Sequence, residues 1–232
     1  MSGPIRQAAF LVGGLGTRLG ALTQSLPKPL LPVAGRPFLD RLLEKAAGHG
    51  LTRIVLLAGV KSEAVEAYLV SDNPAERLGL EIALSIEPSP LGTGGALVQA
   101  APLLDDAFLL ANGDTWFDFD WSALAAATGF PAVAALRAIQ TPDRYETVSL
   151  DGGRITGFHP RGAPSATQLI NGGVYRFDKA ALAGATAPMS LESVLAPALC
   201  RDGRLGGQVF EGAFIDIGVP ESYQQAQTMF SA

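Results

Sequence analysis

The chain is short of the residues that build several common active sites. Of its 232 residues, one is cysteine (Cys200) and two are histidine (His49 and His159). A single cysteine excludes an internal disulfide and fits a reducing compartment, so a cytoplasmic protein is expected. Two histidines exclude a histidine-rich metal site. No apolar run is long enough to span a bilayer, and Met1-Ser-Gly-Pro-Ile-Arg6 lacks the apolar stretch of a signal peptide. Positive charge is also scarce. The net charge of −5 argues against a nucleic-acid surface, which would be basic. The expected partners therefore include neither membrane nor nucleic acid, and an anionic ligand must be held by a few local cations and backbone amides.

The two rare residue types have plain structural readings. Cys200 continues a helical pattern with Leu191, Val194, Leu195 and Leu199, which suits a buried thiol. His49 follows Gly48 at a helix end.

Hydrophobic residues make up 48% of the chain, enough for one sizeable core. One domain over 1–232 is expected, in two halves at 1–140 and 141–232. Over the first 140 residues strand and helix patterns alternate. Ala8–Val12, Arg53–Ala58, Leu80–Ile86, Ala107–Ala111 and Ala132–Ala138 read as strands. Pro37–Ala47, Glu63–Val70, Ala96–Leu104 and Trp121–Thr128 read as helices. Such alternation implies parallel βαβ units and a doubly wound, mostly parallel α/β sheet. After Gln140 the pattern changes. Asp151-Gly-Gly153 signals a hairpin between Glu146–Leu150 and Arg154–Phe158, and Gln168–Phe177 reads as a further strand. This portion is expected to form a small mixed β-region over the carboxyl edge of the sheet.

Three unusual segments fall at the carboxyl ends of expected strands, where open parallel sheets bind ligands. The first is Leu11-Val-Gly-Gly-Leu-Gly-Thr-Arg-Leu19, followed by Lys28-Pro-Leu-Leu-Pro-Val33. Its glycines let backbone N–H groups approach an anion. Arg18 can fork onto phosphate oxygens, and Lys28 supplies a mobile point charge. The segment is not a P-loop, since no Gly-Lys-Ser/Thr follows at the required spacing. Nor is it a dinucleotide fingerprint, whose third glycine position holds Leu19. The second segment is Glu87-Pro-Ser-Pro-Leu-Gly-Thr-Gly-Gly95, and the third is Asn112-Gly-Asp114. An acidic group such as Asp114 beside a phosphate loop suits magnesium, which pairs one or two carboxylates with phosphate oxygens.

Gly14-Leu-Gly-Thr-Arg18 with Pro27-Lys-Pro29 and Pro32-Val33 resembles the signature of sugar-1-phosphate nucleotidylyltransferases. Nearly the whole chain is similar to the short bacterial D-glycero-α-D-manno-heptose 1-phosphate guanylyltransferases and to mannose-1-phosphate guanylyltransferases. The resemblance implies a Rossmann-like fold of nucleotide-diphospho-sugar transferases, with GTP the favoured nucleoside triphosphate, a sugar 1-phosphate as acceptor and magnesium as cofactor. It also implies roles. Arg18 and Lys28 would be catalytic. Leu11, Gly13, Gly14, Gly16, Thr17, Arg18, Glu87, Gly92 and Thr93 would line the nucleotide. Asp114 and Asp216, the latter from Phe214-Ile-Asp-Ile-Gly218, would hold the metal. With 1–140 as the nucleotide-binding half and 141–232 as the sugar-binding half, Asn112, Asn171 and Gly172 (from Asn171-Gly-Gly-Val-Tyr175) and Glu192 (from Ser190-Leu-Glu192) would face the sugar, and Arg161 is a candidate replacement for the family lysine that contacts the sugar phosphate. The chain departs from the family at Ala21, at Glu146 and at His159-Pro-Arg161, where the family has proline, glycine and a Glu-Lys-Pro segment.

The resemblance leaves other readings open. A uridylyl-, thymidylyl- or cytidylyltransferase would share the loop, as would an inactive regulatory homologue that binds a nucleotide-sugar. The sequence also allows a homo-oligomer. Base choice turns on Glu87. Guanine offers two adjacent donors, N1–H and the 2-amino group, and one carboxylate accepts both. An exposed strand-end acid is the competing reading of the same residue. Glu87→Gln should therefore weaken use of GTP more than use of UTP. Equal losses in kcat/KM for both triphosphates would contradict the base-reading role.

Overall fold

The computed structural model describes residues 3–14, 16–140, 144–162 and 167–231, with only the backbone described at Thr17. Met1, Ser2 and Leu15 of the segments above lie outside the described residues.

The chain opens with β1 (Gln7–Leu11), whose Ala8, Ala9 and Phe10 are fully buried. Two 3-10 turns follow, Thr17–Thr23 and Lys28–Leu30, then a ribbon of β2 (Pro32–Val33) and β3 (Arg36–Pro37). Next come α1 (Phe38–Gly48), β4 (Arg53–Ala58), α2 (Ser62–Ser71), α3 (Pro74–Leu78), β5 (Glu81–Ile86) and α4 (Gly92–Ala100). β6 (Ala107–Asn112), β7 (Thr115–Phe117), α5 (Trp121–Ala125) and β8 (Ala132–Ala138) complete the first half. The second half holds β9 (Thr147–Asp151), β10 (Arg154–His159), β11 (Leu169–Asp178), α6 (Ala196–Arg201), β12 (Leu205–Val209), β13 (Phe214–Asp216) and α7 (Pro220–Ser231).

Helix α1 shows why these segments fold locally as they do. Phe38, Leu39, Leu42, Leu43 and Ala46 recur at helical spacing and are all fully buried. Pro37 precedes the first turn in extended backbone. The helix runs through Gly48, and the chain reverses at Gly50, whose φ of 79° suits glycine. His49 is not a free surface residue. Its ring stacks on Trp121 with centroids 6.4 Å apart, and burial lowers its pKa.

Nine strands form one sheet in the order β5-β4-β1-β6-β11-β8-β12-β10-β9. β5, β4, β1 and β6 are mutually parallel, as expected. Helices cover both faces. Residues of α1, α5 and α7 join Phe10 and Leu56 in one apolar cluster, while residues of α4 and α6 join Ala9 and Leu57 in a second. The neighbouring β1 and β4 residues thus point alternately into the two clusters, as the pleat requires.

The expectation of a separate β-region over the carboxyl edge is corrected. Strand β11 enters the main sheet between β6 and β8 and runs antiparallel to both. β12 pairs parallel with β8, and the β9–β10 hairpin extends the same sheet antiparallel. The sheet is therefore mixed rather than mostly parallel. The physical reason lies in β11, where Ile170, Val174, Tyr175 and Phe177 are all buried, as in a strand covered on both faces. What does stand apart is the ribbon β7–β13, which pairs Asp216 with Thr115. Among the described residues no helix is long and apolar enough to cross a membrane.

Candidate active site

A cavity of about 200 Å³ opens at the carboxyl ends of β1 and β6. Leu11, Gly14, Lys28, Pro29, Thr93, Asn112, Gly113, Asp114 and Glu192 line it. A second cavity of about 150 Å³ shares Leu11, Gly14 and Thr93 with it and adds Gly13, Val60, Glu87 and Gly92. The three glycine- and acid-bearing strand ends therefore do converge. Wider cavities of about 430 and 690 Å³ lie around the amino ends of β1 and β6. They are remote from the charged groups described next, and charge placement marks the site better than volume does.

Lys28 sits in the 3-10 turn that extended Pro27 introduces and Pro29 stiffens. Its ammonium contacts Asp114 Oδ2 at 3.0 Å, with the lysine side chain 15% exposed. Asp114 follows the end of β6, and its carbonyl accepts a 2.9 Å bond from the Ile217 amide. That bond continues the β7–β13 ribbon by one pair and brings the segment that carries Asp216 against Asp114. Asp216 Oδ1 accepts from the Gly218 amide at 3.1 Å. Lys28 Nζ lies only 3.7 Å from where a Cβ on Gly218 would stand. Lys28 and Asp114 line the cavity, and Asp216 stands outside its lining on the adjoining ribbon, with its Oδ1 and the Lys28 ammonium flanking the space at Gly218.

The polar rim is tied together across the sheet. Thr93 Oγ1 donates to Glu192 Oε2 at 2.7 Å, and Ser190 Oγ donates to the same oxygen at 3.0 Å. The Leu191 amide donates back to Thr93 Oγ1 at 2.8 Å. This latch fastens the start of α4 to the π-helical turn Leu191–Leu195. Gly92 makes the latch sterically feasible. A Cβ there would stand 2.5 Å from the Met189 carbonyl oxygen, which accepts bonds from the Gly94 and Gly95 amides. The glycine cluster after Leu91 therefore serves packing as well as lining the cavity.

The chain matches the nucleotidyl transferase family over residues 7–231. It belongs to that family. The D-glycero-α-D-manno-heptose 1-phosphate guanylyltransferase of Campylobacter jejuni is 34% identical over 94% of this chain and 96% of its own length. The enzyme of the same name from Aneurinibacillus thermoaerophilus is 33% identical over 95% and 96%. The catalytic subunit beta of mannose-1-phosphate guanylyltransferase from Danio rerio is 32% identical over 97% of this chain, which spans 64% of that longer protein. A crystal structure of HddC from Yersinia pseudotuberculosis complexed with GMP-PN superposes with a TM-score of 0.86, at 29% identity, and covers 97% of this chain and 100% of that one.

In this nucleotidyl transferase the expected residues are placed unevenly. Leu11, Gly13, Gly14, Glu87, Gly92 and Thr93 line the joined cavities. Gly16 instead turns the loop, with φ of 65° and no room for a Cβ beside Thr23 and Lys28. The side chain of Thr17 lies outside the described residues. Arg18 is exposed on the 3-10 turn and makes no ion pair among the described residues. Glu87 uses Oε2 to accept from the Leu91 amide at 2.9 Å, so it also braces its own loop.

On the sugar side, Asn112 lines the cavity and Glu192 is held as described. Asn171 is occupied within β11, where Oδ1 accepts from the Gly173 amide and Nδ2 donates to the Tyr175 hydroxyl. Gly172 is buried and does not line the cavity. A Cβ there would stand 2.5 Å from the Phe117 ring, which assigns it a packing task. Arg161 is exposed, and its charge acts on the Tyr145 hydroxyl. Cys200 donates to the Ile155 carbonyl, and burial raises its pKa, as befits a structural thiol.

Sequence reasoning missed three neighbours of the site. Tyr145 donates to Asp216 Oδ2 at 2.5 Å, and Arg144 Nη2 stands 3.8 Å from the same oxygen. Burial, and then the bond to Asp216, raise the Tyr145 pKa, so the phenol stays protonated as a donor. Lys61 donates to the Thr23 carbonyl and ties the start of α2 to the Arg18-bearing turn. A usable signal existed for Lys61, because Gly59-Val-Lys61 follows the end of β4 at the same sheet edge. Tyr145 precedes Glu146, the position where the chain departs from the family, but its contact to Asp216 and that of Arg144 span some seventy positions and leave no local trace.

The central ammonium is the most exposed to test. Lys28→Ala should lower kcat by about 10²-fold, by analogy with removal of one preorganised charge donor. Steady-state assay of pyrophosphate release measures this, and a near-normal kcat would contradict a role at the reacting phosphate.

Proposed function

We propose that the chain transfers GMP from GTP to a sugar 1-phosphate, D-glycero-α-D-manno-heptose 1-phosphate or mannose 1-phosphate. Pyrophosphate is released and a GDP-sugar formed. The carrying observation is the full-length similarity to the short heptose 1-phosphate guanylyltransferases, which covers 94% of this chain and 96% of the Campylobacter jejuni relative. The pairing of Lys28 with Asp114 at the cavity, with Asp216 on the ribbon alongside, supports it, because an inactive binding homologue has no need of that grouping.

In the proposed reaction an oxygen of the sugar phosphate attacks the α-phosphorus of GTP in line. The bond to the bridging oxygen breaks, and its electron pair leaves with pyrophosphate. The attacking phosphate is already ionised, so no protein nucleophile or general base is needed, and catalysis rests on positioning and charge neutralisation. Lys28 supplies positive charge at the α-phosphate, and Arg18, exposed and without an ion pair among the described residues, is assigned to fork onto the outer phosphates. Backbone at Gly13 and Gly14 borders the nucleotide cavity, and Glu87, which also lines it, is assigned to the base.

The residues fit a divalent metal. Asp114, in the turn after β6, and Asp216, at the end of β13, offer hard oxygens on facing segments, and a cation, the Lys28 ammonium, already pairs with Asp114 and reaches the space at Gly218. In our reading these two aspartates hold magnesium, which when bound supplies further positive charge to the phosphates. Asn112, Glu192 and Arg161 are assigned to the acceptor, in a single-domain, cytoplasmic enzyme.

A panel of GTP, UTP, dTTP and CTP crossed with heptose, mannose and glucose 1-phosphates tests the reading through pyrophosphate release. GTP with heptose or mannose 1-phosphate should give the highest kcat/KM. A preference for another base, or no turnover with any pair, would overturn it.

A further inference from the structure

We propose that Tyr145 is a positioning residue that orients the metal-holding carboxylate of Asp216 and links it to the sugar half of the chain. The inference rests on reading Asp114 and Asp216 as holders of a divalent metal. Asp216 is fixed from both ends. The Tyr145 hydroxyl donates to Oδ2 at 2.5 Å, and the Gly218 amide donates to Oδ1 at 3.1 Å. Each carboxylate oxygen has two acceptor directions, so each keeps one for a cation. The phenol holds the carboxylate by a hydrogen bond and adds no charge of its own, while the more distant Arg144 guanidinium, 3.8 Å from the same oxygen, is its cationic neighbour.

Tyr145 is itself held. Its ring meets Phe214 edge-on, with centroids 5.9 Å apart and planes at 73°, and Phe214 lies two residues before Asp216 on β13. The hydroxyl and the carboxylate therefore ride on one packed unit. On its other side Tyr145 stands two residues before Thr147, the first residue of β9. Arg144 places its guanidinium 5.7 Å from the Tyr145 ring and 3.8 Å from Asp216 Oδ2. The segment that leads into the second half of the sheet thus reaches the metal carboxylate directly. An outer hydrogen-bond donor of this kind is typically worth 10- to 100-fold in metal affinity.

Tyr145→Phe removes the hydroxyl and keeps the ring on Phe214, so packing and positioning are separated. Mn²⁺ binding to the whole enzyme is followed by electron paramagnetic resonance of the free ion, with Asp216→Asn measured beside it. Tyr145→Phe should weaken Mn²⁺ binding by about tenfold. In activity assays the half-saturating Mn²⁺ concentration should rise by a similar factor, while kcat at saturating Mn²⁺ falls far less. If Asp216→Asn abolishes Mn²⁺ binding but Tyr145→Phe binds as tightly as the native enzyme, the positioning role is overturned and the metal reading stands. If Asp216→Asn also binds Mn²⁺ as the native enzyme does, the metal reading falls and the inference falls with it.

Discussion

The corner where the strand ends meet depends on one ion pair, Lys28 with Asp114 at 3.0 Å. Asp216 lies on the segment that faces Asp114, and like charges brought near one another repel unless positive groups lie near them. Lys28 pairs with Asp114 and reaches the space at Gly218, while Arg144 stands 3.8 Å from Asp216 Oδ2. The Lys28 side chain is largely buried, so its attraction to Asp114 is less screened than in a surface ion pair. The same concentration of charge is useful to phosphoryl chemistry, where spread negative charge must be met at a fixed place.

The fold serves this corner by bringing strand ends together. β1 delivers the glycine loop, and parallel β6 beside it delivers Asn112 and Asp114. The β7–β13 ribbon folds the end of the chain back so that Asp216 faces Thr115. Close approach is needed for this. A Cβ on Gly113 would stand 2.5 Å from the Leu11 carbonyl oxygen, so glycine separates Asn112 from Asp114 for steric reasons. The latch from Thr93 to Glu192 closes the opposite side of the cavity and couples α4 to the second half. The two halves read from the sequence are thus hydrogen-bonded into one sheet and share one site.

Much of the first half was legible in the sequence because its signals are local. The run Ala132–Ala138 is β8 as read, and Arg53–Ala58 is β4, since short apolar runs bounded by turn residues describe buried strands well. Helix α5 stops at Ala125, three residues before the expected end, although alanines continue through Ala127. The place of β11 was not legible. Its apolar run says that it is covered on both faces, but not that it inserts antiparallel between β6 and β8. Strand order is settled by long-range packing, which leaves no local trace. The site divides in the same way. Lys28, Asp114 and Asp216 carry recognisable surroundings, whereas Tyr145 matters only through a partner 71 positions away. Gly172 shows the reverse case, a motif residue whose role here is to admit the Phe117 ring.

The most direct test is a crystal structure of the enzyme grown with GTP and Mn²⁺, with anomalous scattering used to place the metal. The account predicts an anomalous peak between the carboxylates of Asp114 and Asp216, with the Lys28 ammonium turned onto the α-phosphate. A peak away from both aspartates, with Lys28 still paired to Asp114 and no contact to the triphosphate, would contradict it.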